Sequence, residues 1–139
     1  MNPLNLFITP TLIRTEARQY QISHIFVAEE VKTGHIAGVV CVGLKDVTLY
    51  GVKMRIGWLF DLRVDEDFQR KGIGASLNTM AETASAKDGA AIMFLSVNGD
   101  NTKAKAMYKK IGYVHASKRA PPMTILIKKA EEKKGLLPA

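Results

Sequence analysis

Between residues 52 and 87 the chain changes its hydrophobic period, and that change limits the folds open to it more than any other feature. "VKMRIGWLFDLRV" (52–64) is a long extended run with apolar residues on both faces near its end, as in a strand covered on both sides. From Ile73 onward, Ile73, Leu77, Met80, Ala81 and Ala84 recur at helical spacing until Gly89 supplies a stop. Between the two lies "DEDFQRKGIG", a turn crowded with charge and opened by two glycines. A buried strand followed at once by an amphipathic helix implies a sheet with a helix laid back across it.

Further extended runs flank this unit. "QISHIFVAEEV" (21–31) and "IAGVVCVGL" (36–44), joined by the turn "KTGH", predict an antiparallel hairpin ahead of it. After it, "AAIMFLSV" predicts a buried strand. "GDNTKAKAMYKKIGY" predicts a second helix, capped by Asp100 or Asn101 and closed by Gly112, with Ala104, Met107, Tyr108 and Ile111 on its inner face. "YVHAS" and "MTILIKK" are two short strands separated by the rigid "RAPP". Pro3 and Pro10 interrupt the start, so residues 1–20 are expected to be an arm or short helix, residues 21–128 the single domain, and residues 129–139 a solvated tail. The order is three strands, helix, strand, helix, two strands, a mixed α/β (α+β) sandwich.

With 139 residues and 47% hydrophobic content the chain is long enough for one core. No window approaches the roughly 18 consecutive apolar residues of a spanning helix, and a cytoplasmic setting is expected. Cys41 is the sole cysteine and sits in an apolar run, so it reads as a buried thiol. A formal charge of +7 favours a polyanionic partner, whether nucleic acid, membrane surface or phosphorylated cofactor. His24, His35 and His115 show no ligand spacing, and no metal is expected.

The glycine turn narrows that choice. A helix start leaves amide N–H groups without internal partners, and the aligned peptide dipoles make that end attractive to phosphate. Gly72 and Gly74 remove side chains that would keep an anion away, while Arg70 and Lys71 add positive charge beside the same spot. Asp65, Glu66 and Asp67 read as solvating or capping the preceding turn. There is no G-x-x-x-x-G-K-[ST], and seven residues separate Val64 from Gly72, too many for a dinucleotide fingerprint. Taken alone, the two glycines are also compatible with a simple chain reversal.

Two spaced segments go further. "QRKGIG", with Gln69, Gly72 and Gly74, and "NTKAKAMYKKIGY", with Asn101, Ala104, Tyr108, Gly112 and Tyr113, resemble the paired signature of the GNAT superfamily of N-acetyltransferases. The resemblance runs from about Phe26 to Lys128, and "RAPPMTILI" is similar to the tail of that superfamily's Hookless-type branch. It implies an acetyltransferase sandwich whose N-terminal helical region is shortened here. By resemblance, acetyl-coenzyme A is the co-substrate and a primary amine the acceptor, small molecule or protein, with direct transfer between them. The backbone of Leu62, Arg63 and Val64 would pair with the pantetheine arm. Amides of Gln69, Arg70, Lys71, Gly72, Ile73, Gly74 and Ala75 would hold the pyrophosphate, and Asn101 would touch the pantetheine or cap its helix.

Tyr108 is the candidate general acid. It lies two helical turns beyond Asn101, where a phenol reaches the cofactor sulfur, although a core tyrosine would show the same spacing. The general base is less defined. Some family members carry an acid on the third strand, whereas Trp58 and Phe60 stand here and Asp61 is the one nearby carboxylate. Asp61 as base competes with a water relay or an amine delivered neutral, and it shares the substrate side with Phe60 only if a bulge re-aims one of them. The resemblance also implies a bulge near Val64 whose backbone N–H polarises the carbonyl. A shortened acceptor wall suggests a homodimer. The competing class is a non-catalytic module of the same fold that binds acetyl-coenzyme A or nucleic acid.

Overall fold

Strand β1 (Leu4–Thr9) opens the chain, followed by β2 (Ile22–Glu30), β3 (Ile36–Leu49) and β4 (Val52–Val64), each antiparallel to the one before. Helix α1 (Ile73–Lys87) then crosses over to β5 (Ile92–Asn98), which runs parallel to β4. Helix α2 (Thr102–Lys110), β6 (Val114–His115) and β7 (Met123–Lys129) complete one seven-stranded sheet of order β1-β2-β3-β4-β5-β7-β6. This computed structural model describes residues 4–9, 20–116 and 123–133.

Three expectations are corrected. Residues 4–9 are a strand paired with β2 rather than an arm or helix, because Pro3 and Pro10 bracket the run instead of interrupting it. The order therefore begins with four strands. Strand β3 runs on to Leu49 through the polar stretch at Lys45 and Asp46, and reverses at Tyr50 and Gly51. Both turn residues have positive φ, 51° and 79°, as a two-residue primed hairpin requires. The C-terminal segment is docked rather than solvated as far as it is described. Lys128 donates to both oxygens of the buried Glu82 at 2.9 Å, Glu131 N–H donates to Glu82 Oε2, and Lys133 N–H donates to Thr83 Oγ1. Residues 134–139, most of the expected N-terminal arm and "RAPP" lie outside the described residues.

The core lies between α1 and the face of the sheet carrying Phe26, Val40, Val42, Leu44 and Leu59. The expected stripe Ile73, Leu77, Met80, Ala81 and Ala84 is buried against it, as the change of period implies. Gly38 makes the approach possible. A Cβ there would lie 3.0 Å from the Arg63 carbonyl and 3.1 Å from Leu77 Cδ1, so β3, the end of β4 and the first turns of α1 meet over its missing side chain. That contact places the start of α1 against the end of β4.

Candidate functional site

Strands β4 and β5 pair at Ile56–Ile92, Gly57–Met93 and Trp58–Phe94, and the last pair stacks its rings 6.2 Å apart. Beyond that aromatic rung β4 stays paired with β3 and β5 with β7, so the two diverge. The fork encloses a cavity of about 300 Å³, walled by residues 59–63 of β4 and 95–98 of β5 and floored by Asn101, Ala104 and Tyr108 of the α2 segment. Backbone facing such a fork lacks a neighbouring strand and is free to pair with an extended ligand.

One side of the fork is bulged. Val39 pairs with Arg63 and Cys41 with Phe60, so Asp61 and Leu62 together oppose Val40. Asp61 takes the left-handed conformation, φ 53°, that this kind of bulge requires and that aspartate tolerates better than most residues. The bulge therefore sits two residues before the position near Val64 that the family pattern suggested. It also resolves the conflict of alternation: Phe60 stacks on Tyr20 at 5.8 Å while Asp61 stands exposed at the cavity wall.

A second cavity, about 420 Å³, continues from the first through Leu62, Asn101 and Ala104 to the start of α1. It is bounded by Val64, Phe68, Gln69, Arg70 and residues 72–75 on one side and by Lys103 and Met107 of α2 on the other. Gly72, the N-cap of α1, has φ 78° and no side-chain cap, and Arg70 two residues earlier has φ 65°. Left-handed residues at such spacing turn successive N–H groups inward to form an anion nest. A Cβ on Gly72 would meet nothing within 4 Å, so its side of the turn is open. At Gly74 a Cβ would lie 3.2 Å from Met107 Sδ, so the second glycine serves the close approach of the two helices.

The turn is held from outside. Asp65 Oδ1 accepts from Asp67 N–H at 3.0 Å, capping a 3-10 turn at Glu66–Phe68, and His35 Nε2 meets Asp65 Oδ2 at 2.9 Å. The His35 ring also stacks on Phe68 at 5.3 Å. The hydrogen bond from His35, then that from Asp67 N–H, lowers the Asp65 carboxyl below its ordinary value. Gln69 Nε2 donates to the Val64 carbonyl at 3.3 Å, and its own N–H donates to Glu66 O at 3.4 Å. Gln69 thus closes the turn with both groups. Lys71 folds over the Phe68 ring, 5.3 Å from its centroid, whereas Arg70 lines the cavity.

Asn101 caps α2, its Oδ1 accepting from Ala104 N–H at 3.1 Å, and borders both cavities. Tyr108 is 6% exposed, in the fork, with the Tyr113 ring edge-on at 5.5 Å. Burial raises the Tyr108 phenol above the ordinary tyrosine range, and contact with Asn78 of α1 partly offsets the rise. The fork and cradle thus gather Asp61, Leu62, Arg63, Val64, Gln69, Arg70, Gly72, Gly74, Asn101 and Tyr108 around one continuous space. Phe68, Lys103 and Asn78 carry no role in the sequence analysis, and Met107 enters there only as an inner-face residue of the second helix. Lys103, two residues past Asn101 in a lysine-rich helix, carries no spacing signal. Asn78 is legible only as a polar residue beside the apolar stripe of α1.

Comparison with known proteins settles the family. The sequence matches the family model for the acetyltransferase (GNAT) family over residues 5–113, most of its length. The chain belongs to the GNAT acetyltransferase family. A curated relative, the [Ribosomal protein bS18]-alanine N-acetyltransferase of Escherichia coli strain K12, is 36% identical over 61 residues, which span 44% of this chain and 41% of the relative. The fold is also that of Arabidopsis thaliana NAA60 solved with acetyl-CoA, TM-score 0.66, 12% identical, covering 77% of this chain and 76% of that one. Nourseothricin acetyltransferase superposes equally well, TM-score 0.66, with 21% identity over 78% of this chain and 66% of that one. The expected mixed-sheet sandwich is therefore the fold of this GNAT protein. The Hookless-type feature rests partly on residues outside those described.

Proposed function

We propose that this GNAT protein moves an acetyl group from acetyl-coenzyme A directly to a primary amine. The observation that carries the reading is the continuity of fork and cradle: one space joins a splayed, bulged strand edge to an uncapped helix start, with a buried phenol at its floor. Acetyl-coenzyme A supplies the activated acetyl thioester. The free edge around Leu62, Arg63 and Val64 pairs with its pantetheine arm, while amides of Ile73, Gly74 and Ala75 with those of Arg70, Lys71 and Gly72 hold its pyrophosphate. Arg70 adds charge from the cavity wall, and Lys103 faces it from α2.

The bulge at Asp61–Leu62 supplies the backbone N–H that polarises the carbonyl, a donor of a kind worth roughly 2.7–4 kcal/mol in other enzymes. Tyr108 donates its proton to the sulfur that leaves. Asp61, exposed at the fork, or a water beside it takes the proton from the amine. An alanine amine of a polypeptide is the first acceptor to test, since the Escherichia coli relative is an alanine N-acetyltransferase of ribosomal protein bS18. The described residues contain no helix long and apolar enough to cross a membrane. The reading includes a cytoplasmic setting and a homodimer, the latter supported by β1 standing at the edge of the sheet with one side unpaired among the described residues.

The test is thiol release from acetyl-coenzyme A with a panel of amines, including peptides with free N-termini. Amine-dependent release is expected. Tight cofactor binding with no release to any amine would point instead to a non-catalytic module.

The external clamp yields its own prediction. His35→Ala is expected to weaken acetyl-coenzyme A binding about two- to fivefold, the scale of an exposed pair, with little change in turnover at saturation. Calorimetric titration would measure it, and an unchanged Kd would show that the turn holds its shape without His35. Because the folded Asp65 carboxyl titrates lower than usual, its stabilising contribution is present above the ordinary carboxyl value of about 3.9 and is lost as pH falls through the lower folded value. Neutral-pH assays lie well inside the stabilised range.

A further inference from the structure

We propose that Asn78 is a positioning residue of Tyr108, its buried amide holding the phenol oxygen so that the hydroxyl hydrogen is directed into the fork. The inference rests on the reading of Tyr108 as proton donor and goes one step further, to what prepares that donor.

Asn78 lies in the middle of α1, beside the apolar stripe Ile73, Leu77, Met80, Ala81 and Ala84, and is 1% exposed; Glu82, Thr83 and Ser85 are the other polar residues that this helix buries. Among the described residues, neither its Nδ2 nor its Oδ1 completes a hydrogen bond. A buried amide with two donors and an acceptor is costly at a core position unless it is paired. Gly74, one turn before Asn78 on α1, lies against Met107, the residue before Tyr108, with 3.2 Å between a Gly74 Cβ and Met107 Sδ, so the buried amide and the phenol belong to the same approach of the two helices. Burial raises the phenol, and the amide acts in the opposite direction, as an N–H donor to the phenol oxygen does.

That orientation has a chemical consequence. A phenol has one hydrogen and gives it to one partner at a time. If Asn78 Nδ2 donates to the phenol oxygen, the hydrogen is left for the fork, where the ring stands among residues of β4, β5 and α2. The Tyr113 ring stands edge-on to the Tyr108 ring at 5.5 Å, and its own hydroxyl is buried without a partner among the described residues. In the transfer, the amine nitrogen forms its bond to the acetyl carbon and gives up a proton to water or Asp61. The C–S bond breaks with its electron pair on sulfur, and the Tyr108 O–H proton moves to that sulfur. The negative charge left on the phenol oxygen is then met by Asn78 N–H, and a proton from water restores the phenol after the thiol departs.

Other polar and charged groups border the same cleft among the described residues. Asp61 and Arg63 of β4 share its cleft, β5 contributes the neutral Ser96 and Asn98, and the α2 segment contributes Asn101. Glu82, one turn further along α1, acts on Tyr113 and is already held by Lys128. Asn78 is the polar side chain of α1 placed to act on the phenol itself.

The test uses the full chain carrying 13Cζ-labelled tyrosine, with the Tyr108 signal identified by its loss in Tyr108→Phe. Asn78→Leu keeps the branching and the number of heavy atoms and removes the amide; Asn78→Ala is the second variant, free of any overpacking. Both are expected to move the Tyr108 ionisation midpoint upward by about one pH unit and to lower kcat about tenfold, with the KM for acetyl-coenzyme A unchanged. Asn78→Leu is further expected to melt no lower than the parent protein. A midpoint that stays where it was in both variants overturns the proposal, even if turnover falls, because Asn78 would then serve packing alone. A midpoint that moves while kcat does not also overturns the positioning role and removes Tyr108 as donor. The NMR measurement needs no acceptor amine, so the contact is decided even if the transfer reading itself fails.

Discussion

Gly72→Glu is expected to abolish the rise in melting temperature that acetyl-coenzyme A gives this protein. At a hundredfold excess over Kd, a ligand that binds only the folded state adds about 2.7 kcal/mol, or roughly 10 °C for a domain of this size. Three effects act together at this position. The glutamate carboxylate repels the pyrophosphate, its side chain occupies the open side of the turn, and its backbone disfavours the φ of 78° found there. The last effect lowers the stability of the free protein by about 1–2 kcal/mol whether or not a cofactor binds. Asn tolerates left-handed φ and carries no charge, so Gly72→Asn separates strain from repulsion. It is expected to retain most of the cofactor-dependent shift. Differential scanning fluorimetry with and without acetyl-coenzyme A measures both variants, and an undiminished shift in Gly72→Glu would place the anion elsewhere.

Tyr108→Phe carries the second large effect. The ring packs against Tyr113 and the core, and phenylalanine preserves those contacts while removing only the hydroxyl. Loss of a positioned general acid costs about 10²-fold or more in turnover. The variant is expected to bind acetyl-coenzyme A with unchanged affinity and to lose about that factor in kcat with the best amine found. Burial holds the phenol above the usual tyrosine range, so it stays protonated through neutral pH, as a proton donor must. Full turnover in Tyr108→Phe would make Tyr108 a structural residue.

Much of this architecture is legible in the residues. The period change at Ile73 is strong because fifteen consecutive helical residues repeat it, and the 52–64 strand and the final "MTILIKK" strand are recovered to the residue. Strand β1 was hidden because a six-residue run between prolines carries too little pattern to separate an edge strand from an arm. The end of β3 was hidden because its last residues turn polar as it runs out beyond the core. The chemical site divides in the same way. Asn101 and Tyr108 follow from the resemblance of "NTKAKAMYKKIGY" to the GNAT signature, helical spacing adding only that the two share a face, and Gly72 follows from a glycine that leaves the helix start open. The fork, the bulge at Asp61 and the clamp from His35 depend on which strands stop pairing and where, which is a property of the whole sheet. Asn78 is local in sequence, yet its meaning depends on Tyr108, thirty residues away in the chain.

The central claim is that the fork between β4 and β5 and the start of α1 form a single seat for one thioester-bearing cofactor. A crystal structure of the protein with acetyl-coenzyme A tests this most directly. Phosphate oxygens on the amides following Arg70, pantetheine along Leu62 to Val64, and sulfur within hydrogen-bonding distance of Tyr108 Oη are predicted. A cofactor bound outside the fork, or one whose sulfur lies away from that phenol, would contradict the account.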